Sequence, residues 1–140
     1  MFKYIYEILP TNKRLTQIGK RESPNCDVCN IEESNVHKFL YCSQVQECIR
    51  WMRKLIFYIS GVNFESMLKV LMLDIPKIEK RNVNSLCIII SSYIACVWFN
   101  RKNLNNIVYC FKAKIIKDQR LNMKLLWEKA NKIFSNNYCR

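Results

Sequence analysis

Apolar positions recur every three or four residues along most of this chain, which predicts helices almost throughout. From 44 to 59, Val45, Cys48, Ile49, Met52, Leu55, Ile56 and Ile59 fall on one helical stripe, with Gln46, Glu47, Arg50, Arg53 and Lys54 largely opposite. That stripe is core. Ser43 and Gln46 stand in a Ser-x-x-Gln capping box, so the helix is expected to open directly at Ser43. Asn63 caps a further predicted helix carrying Phe64, Met67, Leu68, Leu71 and Met72, which Pro76 ends. Another helix is expected from about 84 to 102, and its centre, Leu86 to Phe99, is nearly unbroken apolar sequence. Those fourteen residues, interrupted by Ser91 and Ser92, fall short of the roughly 20 a bilayer demands, so they predict a buried central helix and no membrane partner. The β-branched run Ile88-Ile89-Ile90 is the one place where a strand competes. In the last segment, 104 to 134, Leu104, Ile107, Val108, Phe111, Ile115, Leu121, Leu125 and Phe134 keep helical spacing. At the other end, residues 2 to 8 start a helix that Pro10 ends, and Lys13 to Ile18 forms one more turn closed by Gly19. The expected fold class is mainly α, with little or no β.

The periodicity fails between 19 and 43, and there the chemistry begins. Cys26-Asp27-Val28-Cys29 is followed by the only histidine, His37, and then by Cys42, four candidate ligand atoms within seventeen residues. A Cys-x-x-Cys pair alone is weak in a chain with 8 Cys. Adding the single His and a third Cys at these distances lowers the chance expectation to roughly 0.01. Zinc accepts a tetrahedron of thiolates and imidazole, and a two-residue spacer lets one tight turn aim two sulfurs at one point. Ser23-Pro24-Asn25 is turn material, and Asn30 tolerates the left-handed backbone such a knuckle requires. The second half reads as a short helical turn starting near Ser34 or Asn35 and carrying His37. Five residues of α-helix sweep about 500°, so the helix is expected to break before Cys42. Three Cys and one His fill all four positions, which predicts one structural Zn2+ rather than a catalytic one. Cys48 stands in for Cys42 if the helix begins later. Cys87, Cys96 and Cys110, like Cys48, sit in apolar helical patterns as small buried thiols.

These residues resemble a known family. Ile8-Leu9-Pro10-Thr11-Asn12-Lys13-Arg14-Leu15, then Ser23-Pro24-Asn25-Cys26-Asp27-Val28-Cys29, the acidic pair Glu32-Glu33, and His37-Lys38-Phe39-Leu40-Tyr41-Cys42 are similar to the zinc-binding domain at the carboxyl end of non-LTR retrotransposon reverse transcriptases. The likeness is specific over 6 to 58 and general afterwards, where Val97-Trp98-Phe99-Asn100-Arg101-Lys102-Asn103 matches an apolar helix ending in Arg-Lys-Asn. It implies Cys26, Cys29, His37 and Cys42 as ligands and a role in nucleic-acid handling near reverse transcription. Two departures stand out: only eight residues precede Leu9, where such domains have a longer helical lead-in, and Ser43 occupies a position that is often proline. The first suggests a fragment or a truncated reading frame.

Polymerase chemistry needs clustered aspartates for magnesium, and Asp27, Asp74 and Asp118 are isolated from one another. With only Gly19 and Gly61, there is no glycine-rich phosphate loop. A serine or cysteine nucleophile would want the one His as its base. The expectation is therefore no enzyme: at most a fragment of an RNA-directed DNA polymerase.

A length of 140 residues, half of them apolar, suits one core in two parts: a zinc-binding subdomain over 1–60, with its knuckle at 24–42 and helix at 44–59, and a helical body over 61–140. The opening residues lack the apolar run of a signal peptide, which points to a reducing, intracellular compartment, nuclear or cytoplasmic. Charge is uneven. Residues 101 to 140 hold ten Lys or Arg against two acidic residues, a net +8 of the total +12. A basic helical face with Lys112, Lys114, Lys117, Arg120, Lys124, Lys129 and Lys132 would contact phosphates of RNA or DNA with strong salt dependence. Lys13, Arg14, Lys20 and Arg21 add a smaller patch beside the knuckle. Tyr4, Tyr6 and Tyr41 are stacking candidates that pack equally well. The alternative is a decayed retroelement fragment or helical protein-interaction domain whose basic tail is incidental.

Overall fold

Each helix begins and ends where side-chain chemistry permits. The computed structural model describes residues 9–61, 80–100 and 107–117, with Glu128 and Lys132. The first helix, α1 (Asn12–Gln17), starts at Thr11, whose hydroxyl accepts from the Arg14 N–H at 3.4 Å. It ends in a Schellman turn: the Lys20 N–H reaches the Leu15 carbonyl at 2.9 Å, the Gly19 N–H reaches Thr16 at 3.1 Å, and Gly19 takes φ 75°. Helix α2 (Gln46–Ser60) follows a 3₁₀ turn, Ser43–Val45, and closes at Gly61 with φ 68°.

The stripe read along α2 is its buried face. Val45, Cys48, Ile49, Met52, Leu55 and Ile56 are all buried, and Ile59 is half-buried against the same core. Helix α3 (Lys80–Phe99) contributes Leu86, Ile89, Ile90, Tyr93, Ile94, Cys96 and Val97, which keep the 3.6-residue period through the isoleucine run. Helix α4 (Ile107–Lys117) adds Ile107, Phe111 and Ile115, spaced by four. The three helices pack on one another, and their core continues into the loop residues Cys26, Phe39, Leu40 and Cys42.

The fold is mainly helical, and among the described residues the only β pairing is a single bridge between Asn25 and Glu32. Helix α3 begins earlier than the expected 84 and stops at Phe99 rather than 102, where the Asn100 amide donates to the Cys96 carbonyl at 2.8 Å. Starting early makes it longer than the fourteen apolar residues counted above. By length and composition alone, Asn82–Phe99, with mean hydropathy 1.6, could cross a bilayer, and 44% of that window is buried within the molecule. The helices expected over 2–8 and around Phe64 to Met72 lie outside the described residues, as does most of 104–134 beyond α4.

Candidate metal centre

Two short turns aim four side chains at one point. In the first, the Asn30 N–H donates to the Cys26 carbonyl at 3.0 Å, and the Cys26 N–H to the Ile31 carbonyl at 2.7 Å. Asn30 takes the left-handed conformation, φ 56°, that this reversal requires. In the second, the Ser34 hydroxyl accepts from the His37 N–H at 3.1 Å and starts a helical turn.

That turn ends at Tyr41, before Cys42 as expected, but it does not end as an α-helix. It widens into a π turn, His37–Tyr41, in which the Cys42 N–H donates to the His37 carbonyl at 2.7 Å. An α-helix would swing residue 42 well off the His37 face; a five-residue hydrogen-bonded turn brings it back. The chain leaves the helical path only at Cys42, with φ −59° and ψ 133°.

The ligand atoms of Cys26, Cys29, His37 and Cys42 all lie within 4.8 Å of one another, and the group could hold a metal ion. The Cys42 sulfur stands 3.9 Å from both the Cys26 and the Cys29 sulfur, and all three thiols are free. His37 is buried, and neither Nδ1 nor Nε2 has a hydrogen-bond partner. A buried imidazole normally satisfies at least one ring nitrogen, so this orphaned pair fits a coordinating role. Burial also lowers the His37 pKa, which keeps the ring neutral and its lone pair available. Cys42 is pushed up to about 12 by burial, a cost that a bound cation reverses. Cys29 moves the other way: the Ser43 hydroxyl and N–H, each 3.4 Å from its sulfur, lower its pKa. Cys48, the alternative ligand, is fully buried in α2 and outside the group.

The capping box expected at Ser43 does not form. Ser43 turns to Cys29, while the Gln46 amide donates to the carbonyls of Leu40 at 2.8 Å and Cys42 at 3.1 Å. Both side chains serve the metal loop instead of the helix end.

Sequence reading missed Glu33 as a structural hub. Its buried carboxylate accepts from the Asn12 N–H at 3.1 Å and lies 3.6 Å from the buried Lys38 ammonium. Asn12 itself donates to the Asn25 carbonyl at 2.9 Å, so α1 is fastened to both flanks of the knuckle. Only the acidic pair in the family pattern hinted at this residue.

Two of the four knuckle-side cations are engaged by carboxylates. Lys13 pairs with Glu32 at 2.8 Å and Arg21 with Asp27 at 2.6 Å, while Arg14 and Lys20 are exposed. On α4, Lys114 and Lys117 are exposed and Lys112 is half-buried; Arg120 and Lys124 lie outside the described residues. Tyr41 is exposed beside the cluster. No protein-family model matches this chain, and comparison with curated proteins and with solved structures gives no significant match.

Proposed function

We propose that this chain is a non-catalytic module in which Cys26, Cys29, His37 and Cys42 hold one structural zinc ion, similar to the zinc-binding region at the carboxyl end of retroelement reverse transcriptases. The observation that carries this reading is His37, buried with both ring nitrogens unpartnered among three free thiols. Zinc–sulfur bonds of about 2.3 Å at tetrahedral angles place neighbouring sulfurs about 3.8 Å apart. The 3.9 Å separations of Cys42 from Cys26 and Cys29 support that ion. Four protein donors leave no position for a substrate or activated water, which favours a structural role. Bound zinc supplies a cross-link between the two turns. The chain's own part is to present the donors: Asn30 sets the knuckle, Ser34 starts the histidine turn, and Ser43 supports the Cys29 sulfur. Elemental analysis of the purified, reduced chain should find about one zinc, lost in Cys29→Ser. No zinc in either protein sinks the proposal.

Nucleic-acid association through phosphates is the second part of this proposal, and the exposed Lys114 and Lys117 within the basic carboxyl-terminal third support it. The knuckle-side patch is the weaker half, because Lys13 and Arg21 are already engaged by Glu32 and Asp27. The same pairing favours a competing reading, a protein-interaction module with an incidental tail, as does the exposure of Val28 and Ile31 on the knuckle. Salt dependence separates the two. A binder loses affinity linearly in log–log salt titrations, and neutralising Lys114 and Lys117 lowers the slope by about 2. Weak binding indifferent to those lysines leaves the interaction module.

A further inference from the structure

The four ligand side chains are not equally protected. Cys26, His37 and Cys42 are 6%, 4% and 2% exposed, whereas Cys29 is half-buried and touches solvent. Its sulfur lies 3.4 Å from both the Ser43 hydroxyl and the Ser43 N–H, and 3.9 Å from the Cys42 sulfur, within reach of a disulfide partner. We propose that Cys29 is a modification site for hydroperoxides, and that its oxidation to a Cys29–Cys42 disulfide opens the metal centre. This rests on the zinc reading above and adds a means of releasing the ion.

The chemistry balances with a hydroperoxide as the only oxidant. The Cys29 thiolate attacks the terminal peroxide oxygen, the O–O bond breaks, and the leaving alkoxide or hydroxide takes a proton. Sulfur is oxidised by two electrons to a sulfenic acid and the peroxide is reduced by two. The Cys42 sulfur then attacks the Cys29 sulfur, the S–O bond breaks, and the departing hydroxide leaves as water. Closing the gap from 3.9 Å to a bond of about 2.05 Å leaves only Cys26 and His37 as donors, too few to retain the ion. Zinc has no redox chemistry of its own, so the electrons come entirely from sulfur.

The remaining described thiols provide the internal comparison. Cys48 and Cys96 are buried, but Cys87 on α3 and Cys110 on α4 are half-buried like Cys29 and stand outside the metal cluster. Solvent access alone would oxidise these two as readily as Cys29.

The test uses the full reduced chain, with its zinc content measured before hydrogen peroxide is added in a few molar equivalents. Zinc release is followed with a chromogenic chelator, and disulfides are mapped by differential alkylation and mass spectrometry. The expected result is one zinc released per Cys29–Cys42 disulfide while Cys87 and Cys110 remain alkylatable, with dithiothreitol and added zinc restoring the starting state. A Cys87→Ser/Cys110→Ser double variant should release zinc at the same rate. Zinc retained at peroxide doses that oxidise Cys87 or Cys110 overturns this inference alone, as does a Cys26–Cys29 disulfide as the first product. A chain purified without zinc overturns the zinc reading and this inference with it.

Discussion

Glu33 ties the metal loop together through both its side chain and its backbone. Its carboxylate engages Asn12 and Lys38, its carbonyl accepts from the Lys13 N–H at 3.2 Å, and its N–H donates to the Pro24 carbonyl at 2.9 Å. Removing one partner of a buried ion pair leaves the other charge stranded, a cost of about 3–5 kcal/mol. Glu33→Gln keeps an acceptor for Asn12, so its cost should fall at the low end, about 3 kcal/mol in urea unfolding. Adding Lys38→Met should recover more than half of it; a single-variant loss below about 1 kcal/mol would show that the pair is dispensable. His37 sets the acid limit. Its ring ionises near 6.5 when unfolded, and burial lowers that value in the folded state. Below pH 6.5 the unfolded chain therefore binds a proton that the folded chain resists, and stability falls as pH falls. Without metal, unfolding should require less free energy at pH 5.5 than at pH 7.5, and in the zinc-loaded chain proton competition for the ligands deepens that loss. A flat profile across that range in the metal-free chain, and no difference from His37→Gln, would exclude the ring as its source.

At the level of elements, helices with a strong apolar period were legible and their edges were not. The α2 stripe follows from residue order because burial and period coincide at Val45, Cys48, Ile49, Met52, Leu55 and Ile56. The early start of α3 was hidden because Lys80 to Val83 carry polar or exposed side chains that give the period nothing to register. Asn30 and Gly19 were readable, since a left-handed backbone narrows the choice of residue. The π turn was not, because its width follows from bringing Cys42 back to His37, a tertiary demand with no local signature. Glu33 escaped for the same reason: its partners lie across the loop. The Ser43 box failed because a sulfur and two carbonyls compete for the same donors. This reassignment has a measurable consequence. Gln46→Ala should cost about 1–2 kcal/mol by removing the amide's bonds to the Leu40 and Cys42 carbonyls, the latter keeping only the Val45 N–H, while Ser43→Ala costs less than about 0.5 kcal/mol of stability. Equal losses from the two, read by thermal melts of the zinc-loaded chain, would restore the capping box.

Across the whole molecule, the metal loop is part of the core. Phe39 is fully buried, and its carbonyl accepts the Tyr93 hydroxyl of α3. The Tyr93 ring meets Phe111 of α4 edge-on, with centroids 6.3 Å apart at 89°. The path from ligand to loop to α3 to α4 is thus continuous, and Cys26 and Cys42 pack into the same cluster as Met52 and Leu55 of α2. A structural zinc contributes apparent binding energies of about 10–16 kcal/mol in small finger peptides, comparable to the entire stability of many domains. If the core were separable from the loop, stripping the metal would disorder 24–42 and leave the helices intact. The shared packing predicts otherwise. Chelation should lower the protection of amides in α2 and α3 at the same chelator dose that frees the loop, with a matching drop in far-UV helicity. Tyr93→Phe, which keeps the ring contact with Phe111 but removes the hydroxyl's hydrogen bond to the Phe39 carbonyl, should cost about 1 kcal/mol and separate the two transitions. Hydrogen exchange that shows α2 and α3 fully protected in the chelated wild-type chain would mean the helices fold without the metal.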